Sequence, residues 1–112
     1  RWAEEYVARW YEQHGYTMVA RNFRSKRGEL DVVVIHGTVL VVCEVKARAN
    51  NAFGFAAEAV TPAKQVKVRR ATFDFVEHLR AHDAALHARI RSTRFDVATI
   101  TGVQLEVLPN AF

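Results

Sequence analysis

The fold is decided by two apolar segments, Gly28-Glu29-Leu30-Asp31-Val32-Val33-Val34-Ile35 and Val39-Leu40-Val41-Val42-Cys43-Glu44-Val45-Lys46. Apolar runs of this length are typical of strands that are buried on both faces. Only His36-Gly37-Thr38 separates them, so the two strands are predicted to form a hairpin. Both strands also carry acidic residues, and the second ends in Glu44-Val45-Lys46. Burying a carboxylate and an ammonium there is costly unless they pair or hold a metal.

The segments before this hairpin predict a helix and a further strand. Apolar residues recur at three- and four-residue spacing over residues 2–14, which is typical of an amphipathic helix, and the inward side chains would be Ala3, Tyr6, Val7, Trp10 and Tyr11. A strand over residues 16–23 follows, and then a basic loop over 24–28. The hairpin strands themselves are expected at about 29–35 and 39–46.

The segments after the hairpin predict a loop, a long helix and a second hairpin. Residues 47–60 read as a loop, and Thr61-Pro62 is a good helix start with an N-cap hydroxyl and a proline at the first position. That helix is predicted to end near Arg80, and residues 81–92 could either extend it or form a loop. Strands at 95–100 and 103–108 would then flank a turn around Thr101-Gly102.

The resulting order is α-β-β-β-α-β-β in a single domain over residues 1–112. Because strands that are apolar on both faces need cover on both sides, we expect an α/β domain with a central mixed sheet flanked by helices.

Composition limits the class of protein. The chain has 112 residues, half of them apolar, which argues against disorder and allows a modest core. The net charge of +4 favours a polyanionic partner without proving one. The single cysteine excludes an internal disulfide framework and suggests a reducing, cytoplasmic setting, and no apolar run is long enough to span a membrane.

The register of the hairpin brings acids together. A two-residue turn at Gly37-Thr38 would place Asp31 opposite Glu44 on the neighbouring strand. The same register places Glu29 opposite Lys46. Any loop with an even number of residues leaves these side chains on one face, whereas an odd loop would separate them.

Two opposed carboxylates allow two interpretations. They repel each other unless a cation lies between them, and Mg²⁺ is commonly held by one or two carboxylates together with water and substrate phosphate oxygens. Alternatively, the strands carry an ordinary ion-pair ladder, in which Lys46 neutralises Glu29 and Asp31 stands at a strand end.

Glu4 also has two interpretations, since it lies at the edge of the apolar stripe of the first helix. It could reach the core margin as a third acid, or it could simply be an acid of the first helical turn that the helix dipole stabilises.

These residues, in this order, resemble the PD-(D/E)XK nuclease superfamily, and within it the YraN-type family of predicted endonucleases, which is related to archaeal Holliday-junction resolvases. The resemblance covers nearly the whole chain. Its motifs are Glu4 before Ala8 and Gly15-Tyr16, Asn22-Phe23-Arg24, Gly28-Glu29-Leu30-Asp31, Glu44-Val45-Lys46-Ala47-Arg48, Phe53-Gly54, Ala59-Val60-Thr61 with Lys64, and Phe95-Asp96-Val97.

The resemblance implies a restriction-endonuclease-like core and a set of site residues. Asp31 and Glu44, with the Val45 carbonyl, would bind Mg²⁺ or Mn²⁺. Lys46 would orient the attacking water or stabilise charge on phosphorus. Glu4 matches the acid on the first helix of the resolvase-like branch, and Glu29 is a possible supporting acid.

The implied activity is metal-dependent hydrolysis of DNA phosphodiester bonds, selective for branched or junction DNA rather than for a base sequence. Basic residues around the site could hold the DNA backbone, or they could be a solvated rim; they are Arg24, Lys26, Arg27, Arg48, Lys64 and Lys67. A homodimer is expected by analogy with resolvase-like relatives. Two other functions stay open, a non-catalytic nucleic-acid-binding module and a protein-interaction domain.

Overall fold

The helices and strands follow the predicted order, with one short helix added. The computed structural model describes residues 2–48 and 60–112. Within these ranges the elements are α1 (Trp2–Gln13), β1 (Thr17–Ser25), β2 (Gly28–His36), β3 (Val39–Arg48), α2 (Pro62–His82), α3 (Ala84–Arg89), β4 (Ser92–Thr101) and β5 (Gln104–Leu108). Residues 47 and 48 of the predicted loop belong to β3. Residues 49–59, including Phe53-Gly54, lie outside the described ranges.

The five strands form one mixed sheet in the order β1-β2-β3-β4-β5. Strands β3 and β4 are parallel, and the other neighbours are antiparallel. A parallel pair needs a long crossover connection. Here that connection includes α2 and α3. The predicted mixed sheet flanked by helices is therefore confirmed.

Each face of the sheet carries its own hydrophobic core. On one face α1 packs over residues that include Val32, Val34, Val41 and Cys43. On the other face α2 packs over residues that include Val33, Leu40 and Val42. Successive side chains of a strand point to opposite faces, so β2 and β3 have to be apolar along their whole length to serve both cores.

The turn between β2 and β3 is the predicted one. His36 pairs with Val39, and the ladder continues to the pair of Val32 with Cys43. Gly37 has a φ of +61°, and no described non-glycine neighbour in the turn has positive φ. A positive φ at the first central position is what a type II′ turn needs, and glycine adopts it without steric cost.

The turn between β1 and β2 is tighter than predicted. Instead of a basic loop over residues 24–28, β1 continues to Ser25, which pairs with Gly28 across the two-residue turn Lys26-Arg27. A Cβ atom on Gly28 would lie 2.9 Å from the carbonyl oxygen of Lys67. The hairpin end therefore packs directly on α2, and glycine is needed at this close approach.

Helix α1 presents a different face to the sheet from the predicted one. Its buried residues are Ala3, Glu4, Val7, Ala8 and Tyr11. Trp2 and Tyr6 are exposed, and Trp10 is only half-buried. Small alanine side chains let the helix lie close to the sheet, whereas the larger rings remain on its outer side. The prediction of Tyr6 as an inward residue was therefore wrong, whereas Trp10 does pack, partly buried, against the core.

The second half of the chain departs from prediction mainly at element ends. Thr61 caps α2 as predicted, since its hydroxyl accepts a hydrogen bond from the Lys64 N–H at 3.2 Å. Residues 81–92 are neither a simple extension nor a loop. Helix α2 ends at His82, and Asp83 then caps α3 by accepting from the Leu86 N–H. The last turn is Gly102-Val103, one residue later than predicted.

A buried carboxylate joins α1, β4 and the end of the chain. Asp96 is completely buried and accepts two hydrogen bonds at 2.8 Å from Arg94, one from the Tyr11 hydroxyl at 2.6 Å and one from the Asn110 N–H at 3.0 Å. The carboxylate raises the pKa of the Arg94 guanidinium. Burial, reinforced by neighbouring Cys43 and Asp96, raises the pKa of Tyr11. The hydrogen bond from Tyr11 to Asp96 thus fixes the orientation of α1 on the sheet.

We expect Asp96→Asn to destabilise the domain by about 3 kcal/mol, because it leaves the Arg94 charge without its buried partner. The matched control is Glu5→Gln, which removes the exposed ion pair between Glu5 and Arg9 and should cost less than about 1 kcal/mol. Urea unfolding followed by circular dichroism measures both. Equal shifts in the unfolding midpoint would contradict the importance of the buried network.

Candidate functional site

The two central acids lie at the same end of the β2–β3 hairpin. The ladder between these strands ends at the pair of Val32 with Cys43, and the next positions in that register are Asp31 and Glu44. A carboxylate oxygen of Asp31 accepts a hydrogen bond at 2.9 Å from the Val45 N–H. The Asp31 carboxylate is therefore anchored to the backbone of β3, directly after Glu44.

A cavity of about 240 Å³ opens at this point. Its lining residues are Asp31, Glu44, Val45, Lys46, Val60, Thr61, Lys64 and Val97. Strand β3 contributes three of these residues in sequence, and the first turn of α2 closes the opposite side. We call this space the acid cavity. It brings both acids together with Lys46 and with the start of α2.

Glu44 is buried without full neutralisation. Its side chain is 5% exposed, and one oxygen lies 3.8 Å from the Lys64 ammonium. The other oxygen, Oε2, is buried and has no hydrogen-bond partner within residues 2–48 and 60–112. Burial and the neighbouring Asp31 charge raise the pKa of Glu44 to about 7, although Lys64 opposes that shift. An orphaned carboxylate oxygen of this kind is costly unless a cation or proton satisfies it.

Asp31 experiences a similar but weaker effect. Burial raises its pKa, and the hydrogen bond from the Val45 N–H acts in the opposite direction. The charges of Glu4 and Glu29 raise it further. Four negative charges therefore meet around the acid cavity, those of Asp31, Glu44, Glu4 and Glu29. Lys64 is the cation that lowers the pKa of both Asp31 and Glu44.

Glu4 is buried near the start of α1, and Glu5 beside it is exposed. Because the Glu4 charge raises the pKa of Asp31, the helix brings this carboxylate close to the strand acids. Glu4 does not line the acid cavity itself. Its place at the core margin agrees with the interpretation as a third acid more closely than with a simple first-turn acid.

Lys46 lines the acid cavity but is exposed, although a strand this apolar suggested a buried ammonium. In the described part of the chain it pairs with neither Glu29 nor Glu44. Glu29 instead lies opposite Arg24 in the β1–β2 ladder, with 3.7 Å between the charged groups. The ion-pair ladder of Glu29 with Lys46 is therefore wrong, because β2 and β3 no longer pair at that level.

The predicted basic residues lie in three places. Lys64 belongs to the acid cavity. A separate surface cleft is lined by Arg24, Ser25, Lys26, Arg27, Gly28, Glu29 and Lys67. Arg48 is half-buried at the end of β3.

One of these basic residues is already engaged by the protein. Arg27 donates to the Asp74 carboxylate at 2.7 Å and to the Arg70 carbonyl at 3.4 Å. Its charge is partly offset by Asp74, as that of Arg24 is by Glu29 at 3.7 Å, so Lys26 and Lys67 are the more available cations of that cleft.

Sequence reasoning missed the role of Lys64 beside Glu44. It assigned Lys64 only to DNA contact, whereas the ammonium is the cation nearest the buried carboxylate. The available signal was the Thr61 cap, because it places Lys64 in the first turn of α2, and that turn lies beside the acid cavity. Val60 and Thr61 also line the cavity and were predicted only as parts of a motif or cap.

The donor set fits a hard divalent cation. Among residues 2–48 and 60–112, no group of three or more His, Cys, Asp or Glu side chains is arranged to hold a metal ion, so the protein would supply two carboxylates and not a complete ligand shell. Mg²⁺ commonly takes one or two carboxylates and completes its shell with water and phosphate oxygens. Asp31 and the orphaned Oε2 of Glu44 meet that requirement, whereas a structural zinc site needs four nitrogen or sulfur ligands.

None of the described helices is both long enough and apolar enough to cross a membrane.

Comparison with known proteins identifies the family. The model of the Uncharacterised protein family UPF0102 matches residues 3–100. A UPF0102 protein of Bifidobacterium longum is 41% identical over 98 residues, which make up 87% of this chain and 75% of that protein. A UPF0102 protein of Yersinia pseudotuberculosis is 38% identical over 109 residues, covering 97% of this chain and 89% of that protein. The YraN-type resemblance is confirmed at this level, and the chain belongs to the UPF0102 family.

Proposed function

We propose that this domain is a metal-dependent nuclease of the PD-(D/E)XK type that hydrolyses phosphodiester bonds in branched DNA. The observation that carries the proposal is the buried Oε2 of Glu44, which lies next to Asp31 in an open cavity and has no hydrogen-bond partner among residues 2–48 and 60–112. A buried charge left in this way destabilises a fold, and active sites are where such pKa shifts are commonly found. The motif order from Gly28 to Lys46 and the basic surface support the same conclusion.

Each residue of the acid cavity has a role in the proposed reaction. Asp31 and Glu44 would hold Mg²⁺ or Mn²⁺, with Asp31 oriented by its hydrogen bond to Val45. The bound cation would polarise the phosphate and lower the pKa of the attacking water. Lys46, exposed at the cavity, offers a positive charge to the phosphate oxygens as charge develops on them. Lys64 limits repulsion between the two acids before substrate arrives.

The overall chemistry is simple hydrolysis. The water oxygen forms a bond to phosphorus, one phosphorus–oxygen ester bond breaks, and the products are one phosphate end and one hydroxyl end. The test is a cleavage assay on linear, nicked, flap and four-way-junction DNA, with and without Mg²⁺ or Mn²⁺. Metal-dependent cleavage of the branched forms is expected. Binding without cleavage would favour the non-catalytic module, and neither binding nor cleavage would favour the protein-interaction domain.

Divalent cation should stabilise the wild-type fold by mass action, by about 1.4 kcal/mol when Mg²⁺ is tenfold above its Kd. Asp31→Asn should lose this gain and should raise the stability of the metal-free protein, because it removes one of two repelling charges. Thermal unfolding in EDTA and in Mg²⁺ measures both effects. The assignment fails if Mg²⁺ shifts the melting temperature of wild type and Asp31→Asn equally.

The metal-free protein should lose stability as pH rises from about 4.5 to about 7. The pKa of Glu44 is raised from 4.5 to about 7, so across this window the folded state binds more protons than the unfolded state. The loss should reach about 3 kcal/mol at most. Urea unfolding in EDTA measures it, and Glu44→Gln should flatten the pH dependence. A wild-type profile as flat as that of Glu44→Gln would contradict the burial of an ionisable group here.

Lys46→Ala should abolish cleavage while leaving DNA affinity within a few-fold, because one exposed charge among many contributes little to binding. The matched control is Lys26→Ala, which removes an exposed lysine from the neighbouring cleft and should leave the cleavage rate of bound DNA unchanged. Single-turnover cleavage and fluorescence anisotropy separate the two effects. Equal losses of cleavage in the two variants would show that Lys46 contributes only general charge.

A further inference from the structure

The outer surface of α2 carries cations and an exposed aromatic ring. A cleft on this surface is lined by Arg27, Val66, Arg69, Arg70 and Phe73. Phe73 is 60% exposed and Val66 is 46% exposed. A single exposed apolar residue is normal on a protein surface and needs no explanation. Here, however, three arginines line the same cleft as the ring, and none of the described lining residues is acidic, although Asp74 pairs with Arg27.

Two of the three guanidinium groups are held by aromatic rings, one at Phe73 and the other at a different pair of rings. The Arg27 guanidinium lies 5.7 Å from the ring centroid and is held there by Asp74 and by the Arg70 carbonyl. Arg69 on the other flank lies over Phe95 and Phe112, at 4.6 and 5.5 Å. Arg27 and Arg69 are thus ordered by contacts within the protein. A positively charged cleft of this kind favours a polyanion over an apolar protein partner.

The cleft is connected to the acid cavity along α2. Side chains at every third position form a row across a helix surface, and neighbours in that row have Cβ atoms about 5–6 Å apart. In α2 this row is Lys64, Lys67, Arg70 and Phe73, and we call it the α2 row. It begins with Lys64 beside Glu44 and passes Lys67 in the neighbouring basic cleft. It ends at Phe73, about 14 Å along the helix axis from Lys64. Because each three-residue step turns about 60° around that axis, the row winds half a turn, from Lys64 beside the sheet to Phe73 on the outer side of α2.

We propose that the α2 row guides a single-stranded DNA arm away from the acid cavity, with phosphates on Lys67 and Arg70 and a base stacked on Phe73. The inference deepens the proposed nuclease function and rests on it for the role of the acid cavity. A single strand is the matching form of DNA because its bases expose their π-faces, whereas those of a duplex are already stacked. This arm is what distinguishes a flap or frayed junction from linear duplex.

The first test is equilibrium binding in EDTA, measured by fluorescence anisotropy with a labelled single strand and with the matching duplex. Phe73→Leu keeps an apolar side chain but removes the π-face, so it should weaken single-strand binding by at least about fivefold and leave duplex binding nearly unchanged. Phe73→Trp should retain the affinity. The matched control is Trp2→Leu, which removes an aromatic residue of similar exposure from α1 and should have no effect.

The second test places 2-aminopurine in the single-stranded arm of a flap. Wild type and Phe73→Trp should quench its fluorescence through stacking, and Phe73→Leu should not. In parallel, Lys67→Gln combined with Arg70→Gln should reduce the slope of log affinity against log salt by about 1.4, since each single-strand phosphate contact contributes about 0.7. The control pair is Arg9→Gln with Arg91→Gln, which removes two exposed arginines outside α2 and should leave the slope unchanged.

The outcomes separate this inference from the proposed function. If wild type does not bind the single strand, or if Phe73→Leu binds and quenches like wild type, the α2 row is not a path for the arm. Cleavage of flap DNA would in that case leave the nuclease proposal intact. If Phe73→Leu loses stacking in EDTA while wild type cuts nothing in Mg²⁺ or Mn²⁺, the arm-binding surface stands and the nuclease proposal fails.

Discussion

The register of the β2–β3 hairpin is the constraint on which the acid cavity depends. The turn at Gly37-Thr38 fixes that register, and every side chain of the two strands takes its face from it. A slip of one residue would place Asp31 and Glu44 on opposite faces. It would also exchange the residues that serve the two hydrophobic cores, so the apolar pattern and the acid pair are specified by the same turn.

The protein accepts a local cost at this end of the sheet. Glu44 is buried beside another carboxylate, and within the described part of the chain only one of its oxygens is compensated, by Lys64 at 3.8 Å. By contrast, the buried Asp96 is satisfied by four hydrogen bonds from three residues. One fold therefore contains a fully compensated carboxylate that fixes helix α1 and an incompletely compensated one in an open cavity. That contrast is the physical basis for proposing a functional role for Glu44 and a structural one for Asp96.

The sequence predicted those features that depend on short-range periodicity and turn chemistry. The hairpin register and the pairing of Asp31 with Glu44 follow from two-residue alternation around Gly37-Thr38. The exposed side of α1 did not follow, because Tyr6 fits the apolar spacing of the helix, whereas the rotation of the helix about its axis is set by the distant contact of Tyr11 with Asp96 of β4. The exposure of Lys46 was likewise not predicted, since it depends on where β2 and β3 stop pairing, and two-residue alternation does not indicate that point.

The parallel pairing of β3 with β4 has a kinetic consequence. The β2–β3 hairpin closes through a two-residue turn, whereas β3 meets β4 only when residues 39–48 pair with residues 92–101. Loop closure over such a separation is entropically slow, and local hairpins form much faster. During folding, Asp31 and Glu44 can therefore come together while both are still hydrated. Their repulsion becomes severe only when β4 and α2 dock. The acid pair should therefore destabilise the chain only late in folding, when the native state forms.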